Sequence, residues 1–227
     1  MVFRDRNHAG ELLAQQLLRY RPESDIVIGL ARGGIAVAAP IARLLDIPLD
    51  VLVVKKLTLA QNPEYAIGAV TAGGLRSIRR SAVQELGISR DALEETIRTL
   101  SRDVDRLMMV YRGSKTIDIH GKTVILVDDG IATGATFTVA IRFCKRNGAK
   151  AVIAVIPVAP PMSVMRIRPL VMDVVVLETP DTFTSVGRQY ERFGQLTDSD
   201  VMALLTNEAH RQREVKTIVC ITEGVTT

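Results

Sequence analysis

Residues 124–136 constrain the fold more than any other part of the chain. Four apolar residues that favour β-structure, 124–127, run into the adjacent carboxylates Asp128 and Asp129, and a turn rich in glycine and threonine leads into the helical pattern of 137–147. This order predicts a buried strand, a loop and the N-terminus of a helix. A strand that runs almost directly into a helix is the basic unit of an α/β fold.

The turn between this strand and this helix has the chemistry of a sugar-phosphate site. The first N–H groups of a helix lack intrahelical partners, and the helix dipole favours an anion there. Gly134 permits close approach of the backbone, while Thr133 and Thr136 add hydroxyl donors. Asp128 and Asp129 repel phosphate but suit ribose hydroxyls, or a cation that accompanies the ligand. An ordinary acidic turn of another α/β protein is the alternative interpretation.

Apolar periodicity predicts strands and helices that alternate along the chain. The predicted strands cover residues 25–30, 50–54, 66–70, 75–79, 123–128, 151–158, 174–177 and 217–222, the last at a sheet edge. The predicted helices cover residues 6–20, 35–45, 89–112, 137–147, 160–168 and 199–213. Such alternation predicts an α/β fold with a mainly parallel sheet and helices on both faces.

The sequence predicts a single domain, residues 1–227, with an insertion at 56–112. Between 55 and 65 the periodicity breaks at polar residues and a proline, which predicts a long loop of the kind that often forms a lid. A β-hairpin and an amphipathic helix N-capped by Ser89 complete the insertion.

Residues 124–136 closely resemble the 5-phosphoribosyl-1-pyrophosphate (PRPP) motif of type I phosphoribosyltransferases, in which an apolar strand runs into two acidic residues and a Thr-Gly turn. The Ala-Thr-Gly form is most similar to adenine-type members, although the turn alone does not identify the base. The resemblance implies a type I phosphoribosyltransferase-like fold that binds PRPP. The implied PRPP-binding residues are Gly33, Gly34, Asp128, Asp129, Gly130, Ile131, Ala132, Thr133, Gly134, Ala135 and Thr136. Neither a Walker phosphate loop nor a dinucleotide-binding Gly-x-Gly-x-x-Gly motif occurs in the sequence.

The segment Arg32-Gly33-Gly34 follows the predicted strand 25–30 and precedes a helix. Its two glycines permit unusual backbone angles and leave N–H groups open to an anion. The guanidinium group of Arg32 can donate to pyrophosphate oxygens. The segment is similar to the family's pyrophosphate-binding loop, and a simple tight turn is the alternative.

Lys55 and Lys56 open the predicted loop, at the place where the family's mobile catalytic loop begins. The resemblance implies that these cations neutralise the departing pyrophosphate while the closing loop excludes water; a solvated basic loop is the alternative. Ligands of parallel α/β sheets bind beyond the carboxyl ends of the strands. We therefore expect the loops 31–34, 55–65 and 128–136 to converge on PRPP.

The implied reaction displaces pyrophosphate from the anomeric carbon of ribose through an oxocarbenium-like state, with charge development similar to that in glycoside hydrolysis. No protein nucleophile is required, because the protein positions the reactants and stabilises the leaving group. The implied catalytic residues are Arg32, Lys55, Lys56, Asp128 and Asp129. Magnesium is the implied cofactor. It favours phosphate and water ligands, so it is expected to arrive with PRPP and to contact Asp128 and Asp129 indirectly.

Further similarity to a poorly characterised phosphoribosyltransferase-like subgroup covers most of residues 3–205. It is carried by Phe3-x-Asp5-Arg6-x-x-Ala9-Gly10-x-x-Leu13-Ala14, by Asn62-Pro63-Glu64-x-Ala66-Ile67-Gly68-Ala69-Val70 and by Phe183-x-x-Val186-Gly187-x-x-Tyr190-x-x-Phe193. The chain departs from the subgroup at Lys55, where an arginine is expected.

Aromatic residues in the predicted loop 179–197 are candidates for covering the acceptor base. Phe183 and Tyr190 are the candidate acceptor-binding residues, and Phe193 lies near them in sequence. Packing inside the protein is the equally favoured alternative for all three rings. The sequence does not identify the acceptor.

The composition is ordinary for a globular protein, with 47% apolar and 24% charged residues. The net charge of +4 suits a polyanionic small molecule and does not indicate nucleic acid. No apolar stretch reaches membrane-spanning length and the N-terminal region lacks a signal-type apolar run, so we expect a cytoplasmic protein without a membrane partner. The two cysteines and three histidines form no metal-binding pattern. A homo-oligomer is left open.

Three classes of function fit these residues. The leading hypothesis is a PRPP-dependent transferase that releases pyrophosphate when an acceptor, expected to be a nucleobase, attacks the ribose. The second is a regulator that senses PRPP or a nucleotide without turnover. The third is a hydrolase or phosphorylase that acts on a ribose phosphate.

Overall fold

One sheet of seven strands organises the residues described by the computed structural model, which are 2–59 and 62–223. The strands are β1 (Ile26–Ala31), β2 (Leu49–Leu59), β3 (Asn62–Thr71), β4 (Arg76–Ile78), β5 (Thr123–Val127), β6 (Ala151–Val158) and β7 (Asp173–Glu178). The helices are α1 (Arg6–Leu17), α2 (Gly33–Leu45), α3 (Arg80–Glu85), α4 (Arg90–Arg112), α5 (Ala135–Arg146), α6 (Pro161–Ile167) and α7 (Asp198–Glu223).

The strand order is β4-β3-β2-β1-β5-β6-β7. The five strands from β2 to β7 in this order are parallel, whereas β3 and β4 are antiparallel additions at one edge. The chain moves from β1 to β2 on one side and later adds β5 on the other side, so a topological switch point lies between β1 and β5. A switch point opens a crevice at the carboxyl ends of the two strands.

Both faces of the central strands are buried, which explains why β5 is apolar throughout. Ile125 and Val127 pack with α1 and α2 on one face, whereas Val124 and Leu126 pack with α5 and α6 on the other. Side chains alternate between the faces of a strand, so a strand covered on both sides reads as an unbroken apolar run. The predicted mainly parallel α/β fold with helices on both faces is confirmed.

The prediction of a loop over 55–65 is wrong for most of this segment. Lys55 and Lys56 lie in β2, opposite Val70 and Ala69 of β3, and residues 62–65 begin β3. The strand was missed because its polar residues were interpreted as the end of the apolar run, whereas an antiparallel strand can bury one face and solvate the other. In β2 the exposed Lys56 stands next to the buried Leu57. Residues 60 and 61 of the predicted loop lie outside the described residues.

The predicted edge strand 217–222 is also wrong, because these residues continue the backbone of α7. β-Branched residues there favour extended structure only weakly, and a helix that has already formed elongates cooperatively. The other predicted elements are present with shifted ends, and Ser89 caps α4 as expected by accepting a hydrogen bond from Ala92 N at 3.2 Å. The short helix α3 was not predicted. Within the described ranges, no helix is both long and apolar enough to cross a membrane.

Candidate active site

The loops that follow β1 and β5 touch at the carboxyl ends of these strands. A Cβ atom added to Gly34 would lie 2.6 Å from the carbonyl oxygen of Val127 and 2.9 Å from Asp128 Cα. A Cβ atom on Gly33 would lie 1.9 Å from Asp129 Oδ2. The two glycines therefore allow the Arg32-Gly33-Gly34 loop to approach the acidic pair more closely than any other residue would. The Ala31–Arg32 peptide of this loop is cis.

Two side chains of α6 fix the orientation of the backbone in the turn between β5 and α5. Ser163 Oγ and Arg166 Nη1 each donate to a carbonyl of this turn, Ala132 O and Thr133 O, both at 2.6 Å. A peptide carbonyl and the N–H that follows it point in opposite directions. The N–H groups of Thr133 and Gly134 consequently point away from these donors of α6, and we expect them to meet an anion near the N-terminus of α5.

The remaining residues of the turn anchor it to the sheet and to α5. Gly134 is the N-cap of α5 and has φ of 77°, a value that favours glycine. Ile131 is buried, and its N–H donates to Val158 O of β6 at 3.0 Å. Gly130 packs against Val186, since a Cβ atom there would lie 2.5 Å from that side chain. The predicted PRPP-binding residues Ala135 and Thr136 form the first turn of α5.

An open cleft of about 610 Å³ adjoins the turn, between α6 and the β3–β4 hairpin. Its lining includes Thr133, Ser163, Arg166 and Arg79, so it combines hydroxyl groups with guanidinium groups. Sequence reasoning missed Ser163 and Arg166, because they lie about thirty residues beyond the motif and no local pattern marks them.

The two adjacent carboxylates have different environments. Arg6 Nε donates to Asp129 Oδ2 at 2.7 Å, and the side chains of Arg6 and Asp129 are only 11% and 16% exposed. Asp128 Oδ1 accepts a hydrogen bond from Asp129 N at 2.9 Å. Burial and the nearby charge of Asp129 raise the pKa of the Asp128 carboxyl well above its usual range. Of the two carboxylates, Asp129 is therefore the one that forms an ion pair with a guanidinium group.

A small lobe built from the N-terminal segment and the loop after β7 lies beside Asp129. The Phe193 ring has the Arg6 guanidinium 3.8 Å from its centroid. It also stacks on Tyr190, with 5.1 Å between the centroids. Tyr190 Oη donates to the carbonyl oxygen of Asp129 at 2.6 Å, and its ring packs against Phe3. Arg6 was not predicted as a site residue, although it falls within the N-terminal segment that resembles the subgroup.

The candidate acceptor-binding aromatics are integrated into this lobe to different extents. Tyr190 is 6% exposed, and burial raises the pKa of its hydroxyl. Phe183 is half-buried at the edge of the same cluster. Tyr190 therefore acts as a packing residue in this structure, which was the alternative interpretation. An acceptor contact stays a prediction, with Phe183 as the more accessible ring.

The three predicted catalytic cations have different surroundings. Arg32 Nη1 donates to Leu196 O at 2.7 Å, and its side chain is half exposed. Lys55 Nζ lies 2.8 Å from Asp103 Oδ2 of α4. Lys56 is exposed, and its positive charge opposes the rise in the pKa of Asp128 that burial causes. Of the two lysines, Lys56 is the one whose charge acts on the acidic pair.

Carboxylate oxygens at this crevice are the donors that magnesium prefers. Asp128 and Asp129 alone do not make a complete protein cage, and the described residues contain no group of three or more histidine, cysteine, aspartate or glutamate side chains suited to a metal ion. Magnesium bound together with PRPP therefore stays a prediction, with Asp128 and Asp129 as its candidate carboxylates. Cys144 is buried in the core, which raises the pKa of its thiol to about 12.

Comparison with known proteins identifies relatives of the whole fold. The family model of the phosphoribosyl transferase domain matches residues 5–191. A Mycobacterium tuberculosis protein, named provisionally as a phosphoribosyl transferase, is 37% identical over 211 residues, which are 92% of this chain and 47% of that protein. The chain thus spans about half the length of this curated relative. A ribose-phosphate pyrophosphokinase of Methanosarcina mazei is similar more locally, with 37% identity over 76 residues, 34% of this chain and 23% of the enzyme.

A crystal structure of a Thermus thermophilus protein superimposes with a TM-score of 0.74 and 38% identity, covering 90% of this chain and 98% of that one. The two proteins therefore share this fold, and the match of the family model confirms the predicted type I phosphoribosyltransferase-like fold. Because the family model extends over all seven strands of the sheet and includes both loops of the crevice, the chain belongs to the phosphoribosyl transferase domain family.

Proposed function

We propose that this chain transfers the 5-phosphoribosyl group of PRPP to an acceptor, a nucleobase, with release of pyrophosphate. The observation that carries the proposal is the contact of the Gly33-Gly34 loop with Asp128 and Asp129 at the switch point between β1 and β5. The turn that we assign to anion binding adjoins the two carboxylates there. The turn suits the 5′-phosphate of a phosphoribosyl group, and the carboxylates suit its ribose hydroxyls. The provisional name of the Mycobacterium tuberculosis relative supports the same reaction class.

We assign each part of PRPP to a group at the crevice. The 5′-phosphate is assigned to the N–H groups and hydroxyls of residues 133–136, and the ribose hydroxyls to Asp128. The pyrophosphate is assigned to the loop 32–34, with Lys56, whose charge acts on Asp128, as the cation. Magnesium bound to PRPP would neutralise charge on the leaving pyrophosphate. No side chain needs to act as a nucleophile.

The bond changes follow from this arrangement. The bond between the anomeric carbon and pyrophosphate breaks, pyrophosphate retains the electron pair, and a nitrogen of the acceptor forms the new bond before losing its proton to solvent. Cationic character develops at the ribose in between, as in glycoside hydrolysis. The protein contributes by positioning and by donors that favour the departing charge.

A screen for pyrophosphate release tests the proposal. The protein is incubated with Mg-PRPP and purine, pyrimidine or pyridine acceptors, while calorimetry measures Mg-PRPP binding separately. Release that depends on an acceptor is the expected result. Binding without release from any acceptor would favour a PRPP-sensing regulator, and ribose 5-phosphate formed with water alone would favour a hydrolase. Absence of binding would refute the proposal altogether.

Replacing Gly134 by valine is expected to weaken Mg-PRPP binding about tenfold or more. The substitution displaces the backbone N–H groups that are assigned to the charged 5′-phosphate. The conformation at φ of 77° disfavours a β-branched residue. A Cβ atom itself would fit, since its nearest neighbours are side-chain carbons at 3.6 and 3.7 Å. The larger effect should therefore come from the valine methyl groups and the displaced N–H groups at the phosphate position.

Gly73→Val is the matched control for this variant. Gly73 has φ of 67°, and a Cβ atom there meets no atom within 4 Å. The substitution therefore introduces comparable backbone strain, of about 1–2 kcal/mol, at a residue that is not assigned to PRPP. Calorimetry should show wild-type affinity for the control. Equal losses in the two variants would remove the phosphate assignment.

A further inference from the structure

Arg6 is the first residue of α1, yet its side chain ends in the crevice 123 residues away in sequence. Its guanidinium makes three contacts. Nε donates to Asp129 Oδ2 at 2.7 Å, Nη1 donates to Gly194 O at 2.8 Å, and the plane lies 3.8 Å from the Phe193 ring centroid. With only 11% of its side chain exposed, Arg6 is held in one position by neighbours on three sides.

The backbone of Asp129 is also fixed by hydrogen bonds. Tyr190 Oη donates to its carbonyl oxygen, and its own N–H donates to Asp128 Oδ1. A Cβ atom added to Gly33 would overlap with the Asp129 carboxylate and would lie 3.1 Å from Arg6 Nε. The pair of Arg6 and Asp129 therefore borders the loop assigned to pyrophosphate.

Electrostatics explains why a cation is needed at this point. Two adjacent, largely buried carboxylates repel each other, and each loses hydration on burial. A guanidinium that donates to one of them compensates that charge and fixes the orientation of the carboxylate. Asp128 then remains as the carboxylate that is free of a guanidinium partner among the described hydrogen bonds and ion pairs.

We propose that Arg6 is a positioning residue for PRPP binding. It holds the Asp129 carboxylate against the Gly33-Gly34 loop, so that the acidic pair and the pyrophosphate loop are arranged before the ligand arrives. Arg6 acts through Asp129, and its contribution to affinity disappears when Asp129 can no longer accept its ion pair. This inference rests on the proposed function, since it concerns the same site. Positioning of this kind improves binding because less reorganisation is required of the site.

A purely structural role would link the same two segments without acting on Asp129. Other contacts already join them: Phe3 N donates to Gln189 O, and Glu191 N donates to Phe3 O, both at 2.8 Å. Arg192 pairs with Asp5 at 2.6 Å while remaining 73% exposed, and it does not contact Asp129. Arg192→Ala is therefore a matched control that loosens the lobe but leaves the acidic pair intact.

The test measures the dissociation constant of Mg-PRPP by calorimetry and the stability of each variant by thermal unfolding. Arg6→Ala should weaken binding about tenfold, the effect of losing one charge-assisted hydrogen bond. Arg6→Lys, which keeps the charge but not the three contacts, should recover part of the loss. Arg192→Ala should bind within about twofold of wild type, even where its unfolding temperature falls. In an Asp129→Asn background, Arg6→Ala should change affinity by no more than about twofold, because the interaction is already lost.

Several outcomes would overturn the inference. Wild-type affinity in Arg6→Ala would do so, as would equal losses in Arg6→Ala and Arg192→Ala. Additive losses in the double variant would show that Arg6 acts independently of Asp129. Should Arg6→Ala fail to fold, Arg6→Lys still decides, because wild-type affinity in that folded variant would exclude a role for the three contacts. Absence of Mg-PRPP binding by the wild type would instead refute the proposed function, and this inference with it.

Discussion

Replacing Gly34 by alanine is expected to abolish measurable Mg-PRPP binding and to lower the free energy of unfolding by about 1–3 kcal/mol, the usual cost of overpacking. The added Cβ would lie 2.6 Å from Val127 O and 2.9 Å from Asp128 Cα. Both are backbone atoms at the end of β5, so no side-chain rotation can relieve the contact. Either the pyrophosphate loop or the acidic pair must move, and PRPP would then meet its two contact surfaces at the wrong separation.

Gly194→Ala is the control for this substitution. A Cβ atom on Gly194 meets no atom within 4 Å, and the substitution keeps the carbonyl oxygen that accepts from Arg6. Urea unfolding and calorimetry should give wild-type values for the control and losses in both quantities for Gly34→Ala. Wild-type affinity in Gly34→Ala would show that the loop 32–34 does not need to lie against Asp128, and it would remove the pyrophosphate assignment.

Local features of the crevice were predictable from sequence because one segment carries them. A buried strand, an acidic pair and a helix N-terminus follow one another within 124–136, and each has its own residue preference. The approach of the loop 31–34 was predictable for a topological reason: the carboxyl ends of parallel strands lie at one edge of the sheet. The structure places these two loops in contact.

Contacts across long sequence separations were not predictable in the same way. Arg6, Ser163 and Tyr190 reach the motif from 123, 31 and 61 residues away. Periodicity reports which face of an element is buried, but it does not report which distant side chain lies opposite. The similarity of the N-terminal and 183–193 segments to one subgroup indicated that these segments matter, without showing that they meet at Asp129.

The acidic pair illustrates how structure refines a sequence-based expectation. Adjacent residues at a strand end point in opposite directions, so unequal roles for Asp128 and Asp129 were foreseeable. Only the packing of α1 assigns the guanidinium to Asp129. It follows that the substitution Asp128→Asn tests the ribose contact, whereas Asp129→Asn tests the arrangement of the loop around it.

The two lysines of β2 are expected to differ sharply in catalysis. Lys55 and Lys56 are adjacent in a strand, so their side chains leave opposite faces of the hairpin. Lys55 pairs with Asp103 at 2.8 Å, and the hydrogen bonds from Lys55 and Arg106 lower the pKa of that carboxyl. Lys56 is exposed, and its charge acts on Asp128, whose pKa burial and Asp129 raise. We therefore expect Lys56, rather than Lys55, to act on the departing pyrophosphate.

Lys56→Ala should lower kcat for pyrophosphate release by about a hundredfold, with a smaller change in the KM for PRPP, because the leaving group gains most of its charge in the transition state. Lys55→Ala should lose a half-buried ion pair worth about 1 kcal/mol of stability and should keep kcat within about twofold. Steady-state kinetics with the acceptor found by the screen measures both variants side by side. If Lys55→Ala were the slower enzyme, closure of the hairpin would have to release Lys55 from Asp103 and carry it to the pyrophosphate, and the catalytic role assigned to Lys56 would be wrong.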